Sequence, residues 1–194
     1  MKYHFIIIFT AILFGCSNKE LKKEELYNPK AVELNDKAVR YIISNSDSAL
    51  ILLNMAIDYD SSYYLPHSNK VTIYLDQSNY YNALLESKLV NKKKSDLAEG
   101  WTFTGFLNLY LENEEDANQC FKRSIELYTN RIENLSDTDE IDNNLLNRAL
   151  AKKFTDDKSY MKDLNDIRNQ EQLKSLITDV KSKSKEKLLK ELIN

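Results

Sequence analysis

Residues 101–128 read WTFTGFLNLYLENEEDANQCFKRSIELY. Apolar residues recur at helical spacing, yet the stretch carries the only tryptophan, Trp101, and one of three glycines, Gly105. Glycine inside a helix is about 1 kcal/mol less favourable than alanine, so propensity does not explain Gly105. Spacing does. Ala49, Ala83 and Ala117 stand 34 residues apart, as do Ala56, Val90 and Ser124 seven positions later. Between them lie Leu53, Ser87 and Phe121, again at intervals of 34. A small residue on each helix of a hairpin lets the two approach, and larger neighbours fill the space that remains. One such hairpin cannot bury its own apolar face, so about three must stack.

The rest of the chain fits an all-α class. Its 194 residues suffice for one domain or a short repeat array, and 42% hydrophobic content allows a packed core. With only three glycines and two prolines, the sequence lacks the turn residues of a sandwich or barrel. The periodicity predicts helices over 30–44, 47–58, 64–76, 78–91, 97–111 and 114–134. Pro66 falls in a first turn, where its missing N–H does little harm. Ser46 or Ser48, Asn79 and Asn113 are expected as caps or turn residues.

These columns resemble the tetratricopeptide repeat, with its W-x2-L-G-x2-Y, A-x3-F and small-residue pattern. Trp101, Gly105, Ala117, Phe121 and Ser124 match it, while Thr104 and Asn108 stand where the family has Leu and Tyr. In the preceding repeat Val71, Tyr74 and Ala83 occupy the Gly, Tyr and Ala columns, and His67 the Trp column. The first repeat offers Leu34, Ala38, Tyr41, Ala49, Leu53 and Ala56, with one residue fewer in its turn. The resemblance implies a short right-handed solenoid of three to four helical hairpins with a C-terminal capping helix. It further implies that the first helix of each hairpin lines a concave groove for a peptide or a partner's helix. Residue by residue, that groove would comprise Asn35, Val39 and Ile42, then Ser68, Thr72 and Leu75, then Thr102, Phe106 and Leu109.

The flanks define the remaining segments. Lys2, the apolar run Phe5–Phe14 and Gly15-Cys16 read as a signal peptide over 1–15, since the run is shorter than the roughly 20 residues of a spanning helix. Leu13-Phe14-Gly15-Cys16 resembles the lipobox of bacterial lipoproteins, which implies lipidation at Cys16 and attachment to the membrane through that residue. The charged stretch within 16–29 reads as a tether. Ser17 in place of Asp favours an outer-membrane location in the cell envelope. Three repeats are expected over 30–134, a degenerate fourth hairpin over 135–169, and an amphipathic helix over 170–194. Residues 136–142 read as a polar loop.

The chemistry is sparse. Without residues 1–15 the chain has 26 basic and 30 acidic residues, a net −4 that argues against nucleic acid as a partner. His67 would then be the only histidine and Cys120 the only thiol besides Cys16, both read as packing residues. No catalytic residues, metal ligands or cofactor are expected: metal-ligand spacing, a phosphate-cradling glycine loop and a nucleophile elbow are all missing from the sequence. The acidic runs at 58–60 and 137–142 read as solvated charge. Of the adjacent pairs Tyr63-Tyr64 and Tyr80-Tyr81, one member of each is expected at the surface. The expectation is a non-catalytic protein-binding or assembly scaffold resembling the accessory lipoproteins that help build pili or outer-membrane machinery. The alternative is a regulatory or immunity-type protein that sequesters one effector.

Overall fold

The structure, a computed structural model, describes residues 27–193. Among them are ten helices and no strands. The signal sequence, Cys16 and most of the tether lie outside the described residues. The chain divides into two units at Ser95–Asp96.

The first unit contains α1 (Pro29–Val39), α2 (Ser46–Tyr59), α3 (Leu65–Asp76) and α4 (Tyr80–Lys93). Each start has a local cause. Asn28, Asn45 and Asn79 cap α1, α2 and α4 by accepting from the backbone N–H of Lys30, Ser48 and Asn82, and Pro66 sits in the first turn of α3. Consecutive helices pack as antiparallel neighbours, and α1 also touches α3. Ala38, Ala49, Leu53 and Ile73 form one buried cluster, while Ala31, Leu34, Ala56 and Tyr63 form another. The small residues of the 34-residue columns thus sit where helices meet.

One local expectation needs correcting. Helix α1 ends at Val39 rather than near residue 44, because residues 40–44 form a turn. Tyr41 is therefore 39% exposed, and Ile42 instead packs on the Ala38 cluster. His67, read as a packing residue, is buried but is held by a polar contact as well. Its Nδ1 lies 2.6 Å from Glu86 Oε2, and Lys70 Nζ lies 2.6 Å from Glu86 Oε1. Burial alone would raise the Glu86 carboxyl, but the hydrogen bonds from His67 and Lys70 hold it below its ordinary range. A depressed carboxyl stabilises the fold above its unfolded pKa and loses that contribution as pH falls through the folded one. Glu86→Gln is therefore expected to flatten the loss of thermal stability on acidification below the ordinary glutamate range, measured by calorimetry against pH.

The second unit contains α5 (Ala98–Tyr110), α6 (Glu114–Asn134), α7 (Thr138–Phe154), α8 (Tyr160–Asp166), α9 (Gln170–Ser182) and α10 (Lys185–Ile193). Helices α5 through α8 pack in succession, α9 packs on α7, and α10 packs on α5. Gly105 explains the close approach of α5 and α6. A Cβ there would meet Phe121 Cε1 at 2.7 Å, with two further ring atoms at 2.9 Å. The Phe121 ring is fully buried and stacks on Phe154 at 5.5 Å, and Phe106 packs on both at 5.3 and 4.9 Å.

The repeat is also written in the turns. Ser78 and Glu112, 34 residues apart, both adopt left-handed conformations, with φ of 55° and 63°. The following amides reach back five residues, Asn79 N to Tyr74 O at 2.7 Å and Asn113 N to Asn108 O at 2.8 Å. These are Schellman closures, which satisfy carbonyls left open at a helix end. Asp156, with φ of 60°, and the bond from Asp157 N to Lys152 O repeat the turn between α7 and α8. The interval there is 44 residues, so about ten extra residues separate the third and fourth pairs.

Residues 136–142 differ from the expected loop. Asp137 caps α7 by accepting from Asp139 N and Glu140 N, so the acidic run opens a helix. Asp142 is buried and accepts from Arg168 N and Asn169 N at 3.0 and 2.7 Å. Asp60 likewise ties the α2–α3 turn to the start of α1, accepting from Asn28 N at 2.9 Å. Both acidic runs hold backbone amides, where solvated charge was expected. The C-terminal segment is two helices rather than one, broken at Lys183 and Ser184.

Candidate partner-binding face

In the first unit, α1 and α3 are the leading helices of their pairs. Asn69 donates to Asn35 Oδ1 at 2.7 Å, a bond between positions 34 residues apart that ties the two helices side by side. Asn35 and Ser68 are buried in this contact region. Thr72, Leu75 and Ile42 are half-buried, and Val39 is 46% exposed. An open hollow of about 490 Å³ lies along α1, lined by Glu33, Asp36, Lys37, Arg40 and Tyr41. At about 100° per residue Glu33, Asp36, Lys37 and Arg40 project from the side of α1 turned away from Asn35 and Val39, so the hollow is separate from the α1/α3 face.

In the second unit, the corresponding residues have a different fate. Thr102 and Phe106 are buried and Leu109 is half-buried. The Thr102 hydroxyl donates to Ala98 O at 3.1 Å, and Phe106 belongs to the aromatic cluster. Neither offers a surface to a partner in this conformation. The reason is coverage: α6 packs on one side of α5 and α10 on another. Of the C-terminal segment, α9 packs on α7 of the last pair, and α10 packs on α5.

Among the described residues no group of three His, Cys, Asp or Glu side chains could hold a metal ion. The buried charges are structural pairs. Arg131 donates to Glu99 at 2.6 Å and lies over the Tyr128 ring at 5.7 Å, so Glu99 holds its guanidinium above its ordinary pKa against the opposing effect of burial. Asp163 accepts from both Arg148 Nε and Nη2 at 2.9 Å, with Lys152 Nζ also at 2.9 Å. Cys120 is buried and unbridged. Tyr63, in the turn before α3, is buried and Tyr81, on α4, is 65% exposed, while Tyr64 and Tyr80 are half-buried.

The sequence left open whether the C-terminal segment caps the repeats or fills the groove of leading helices; α10 packs on the leading helix α5. The signal was present in Leu188, Leu189, Leu192 and Ile193 beside Lys187 and Lys190, a strongly amphipathic nine-residue helix. Its destination was not encoded in any spacing. No helix among the described residues is long and apolar enough to cross a membrane. Compared with protein-family models the chain finds no match, and no curated protein matches it either.

Proposed function

We propose that the chain is a tetratricopeptide-type solenoid, anchored in the bacterial envelope by lipid at Cys16, that binds another protein without catalysis. The carrying observation is the return of one turn geometry at Ser78 and Glu112, with the Asn35–Asn69 bond at the same 34-residue interval. That periodicity supports the repeat reading in geometry as well as in residue type. The α1/α3 face supports the binding reading, since its leading helices leave Val39 exposed and Thr72 and Leu75 only half-buried. The Gly15-Cys16 pair after an apolar run supports the anchor, and its position before a charged tether suits a protein held at the outer membrane.

The test uses the full chain in cells. A photo-crosslinking residue at Val39 or Leu75 is expected to give discrete protein adducts, and one at the exposed Asn54 of α2 none. Several envelope proteins would indicate an assembly scaffold, and one tight partner a sequestering protein. Equal adducts from both faces, or none, would contradict the binding reading. Cys16→Ala is expected to abolish palmitate labelling and release the protein from the membrane fraction. Retention there with unchanged labelling would contradict the anchor.

A further inference from the structure

Helix α5 is buried along nearly its whole length, from Ala98 to Asn108 apart from half-buried Trp101. Helix α10 supplies part of that cover, and its own Leu188 and Ile193 are buried in return. Leu189 and Leu192 are half-buried, while Glu186, Lys187 and Lys190 are exposed. The chain thus displays what the α5 face accepts: a short helix with an aliphatic stripe and a mainly basic outer side.

The attachment of α10 is light. It has nine residues, fewer than an isolated helix needs to persist in water, so its helicity depends on docking. It follows a two-residue break at Lys183 and Ser184, where Lys183 is extended with ψ of 147°. Ser184 caps it by accepting from Lys187 N at 3.2 Å. Two lateral ion pairs reach it, Lys185 with the exposed Asp156 at 2.8 Å and a part-buried one between Lys183 and Glu191 at 2.6 Å. By contrast α9 is fastened: Lys153 Nζ donates to Val180 O and Lys183 O at 2.5 and 2.7 Å, closing the helix end. Segments with few fully buried side chains open locally without global unfolding.

We infer that the α5 face is a seat for a short amphipathic helix, and that α10 is a resident occupant displaced by a partner helix of the same pattern. The inference deepens the proposed binding role and rests on the leading-helix faces being the receiving ones. A partner entering this seat must present aliphatic residues with the spacing of Leu188, Leu189, Leu192 and Ile193. Opening would then be limited by the undocking of α10, so association would saturate at high partner concentration.

The full chain and a fluorescein-labelled synthetic peptide of the sequence of residues 184–194 provide the test, read by fluorescence anisotropy. The double variant Leu188→Asp, Ile193→Asp is expected to bind the peptide at least tenfold more tightly than the unaltered chain. A peptide carrying the same two changes should not compete. Binding no tighter than that of the unaltered chain would overturn the inference, as would loss of the cooperative urea transition in the variant. Hydrogen exchange on the unaltered chain gives a second reading. Amides of 188–193 are expected to exchange at least a hundredfold faster than those of 121–128, and equal protection would make α10 an integral part of the core. Crosslinks from Val39 or Leu75 report on the other unit, so failure of the peptide experiment leaves that reading separately testable.

Discussion

Gly105→Leu is expected to lower stability by about 3 kcal/mol or more, the upper end of what overpacking a filled interior produces. A bare Cβ already falls 2.7 Å from Phe121 Cε1. The ring has no free direction in which to retreat, because it is fully buried and held between Phe106 and Phe154. A leucine adds three more carbons to that collision. The side chain could be admitted only by separating α5 from α6, which would open the aromatic cluster. Urea denaturation followed by circular dichroism measures the effect as a fall in midpoint. Wild-type stability in this variant would mean that the two helices do not approach over Gly105.

Asp163→Ala is expected to be at least as severe, about 3–5 kcal/mol, because it strands buried positive charge. Asp163 is 2% exposed and is the shared acceptor for Arg148 and Lys152, whose side chains are themselves 15% and 13% exposed. Its loss removes three charge-assisted contacts and leaves two cations in a poorly solvated site, apart from the bond from Arg148 to Thr129 Oγ1 at 3.1 Å. The contrast with exposed pairs sharpens the prediction. Lys174→Ala, which breaks a pair with Glu171 at 71% and 86% exposure, should leave the midpoint within experimental error. Thermal or urea melts of the two variants side by side decide the matter. A mild effect of Asp163→Ala would show that water reaches the Arg148–Lys152 site.

The sequence made the hairpin columns legible because they are repeated chemistry at a fixed interval. Ala49, Ala83 and Ala117 are each fully buried, and Gly105 lies against Phe121 as its spacing suggested. What was not legible depends on contacts made once only. Asp137 through Asp142 look like a solvated loop, since a capping aspartate and a buried one have the same letter as an exposed one. Only the folded chain brings the amides of Arg168 and Asn169 to Asp142. Tyr41 fits its column by spacing, but α1 stops at Val39, and the turn carries the tyrosine outward while Ile42 turns in.

The candidate face divides in the same way. Periodicity placed Asn35, Val39, Ile42, Ser68, Thr72 and Leu75 on leading helices, and the Asn35–Asn69 bond joins those helices directly. It placed Thr102, Phe106 and Leu109 on the equivalent helix of the next pair with equal warrant. Their burial follows from α10, a segment some eighty residues further on, and from the Phe154 ring of α7. Long-range cover of this kind leaves no trace in the periodicity of the helix that it covers.

The close approach of α5 and α6 over Gly105, with Phe121 as the filling ring, is tested most directly by a double-mutant cycle. Gly105→Ala alone should destabilise, because its clash with the ring outweighs the roughly 1 kcal/mol that alanine gains in helix propensity. In a Phe121→Leu background the ring atoms that Cβ would meet are gone. The same substitution should then be neutral or stabilising, giving a coupling of about 0.5–3 kcal/mol between the two positions. Additive effects, within about 0.5 kcal/mol, would show that Gly105 and Phe121 do not face each other.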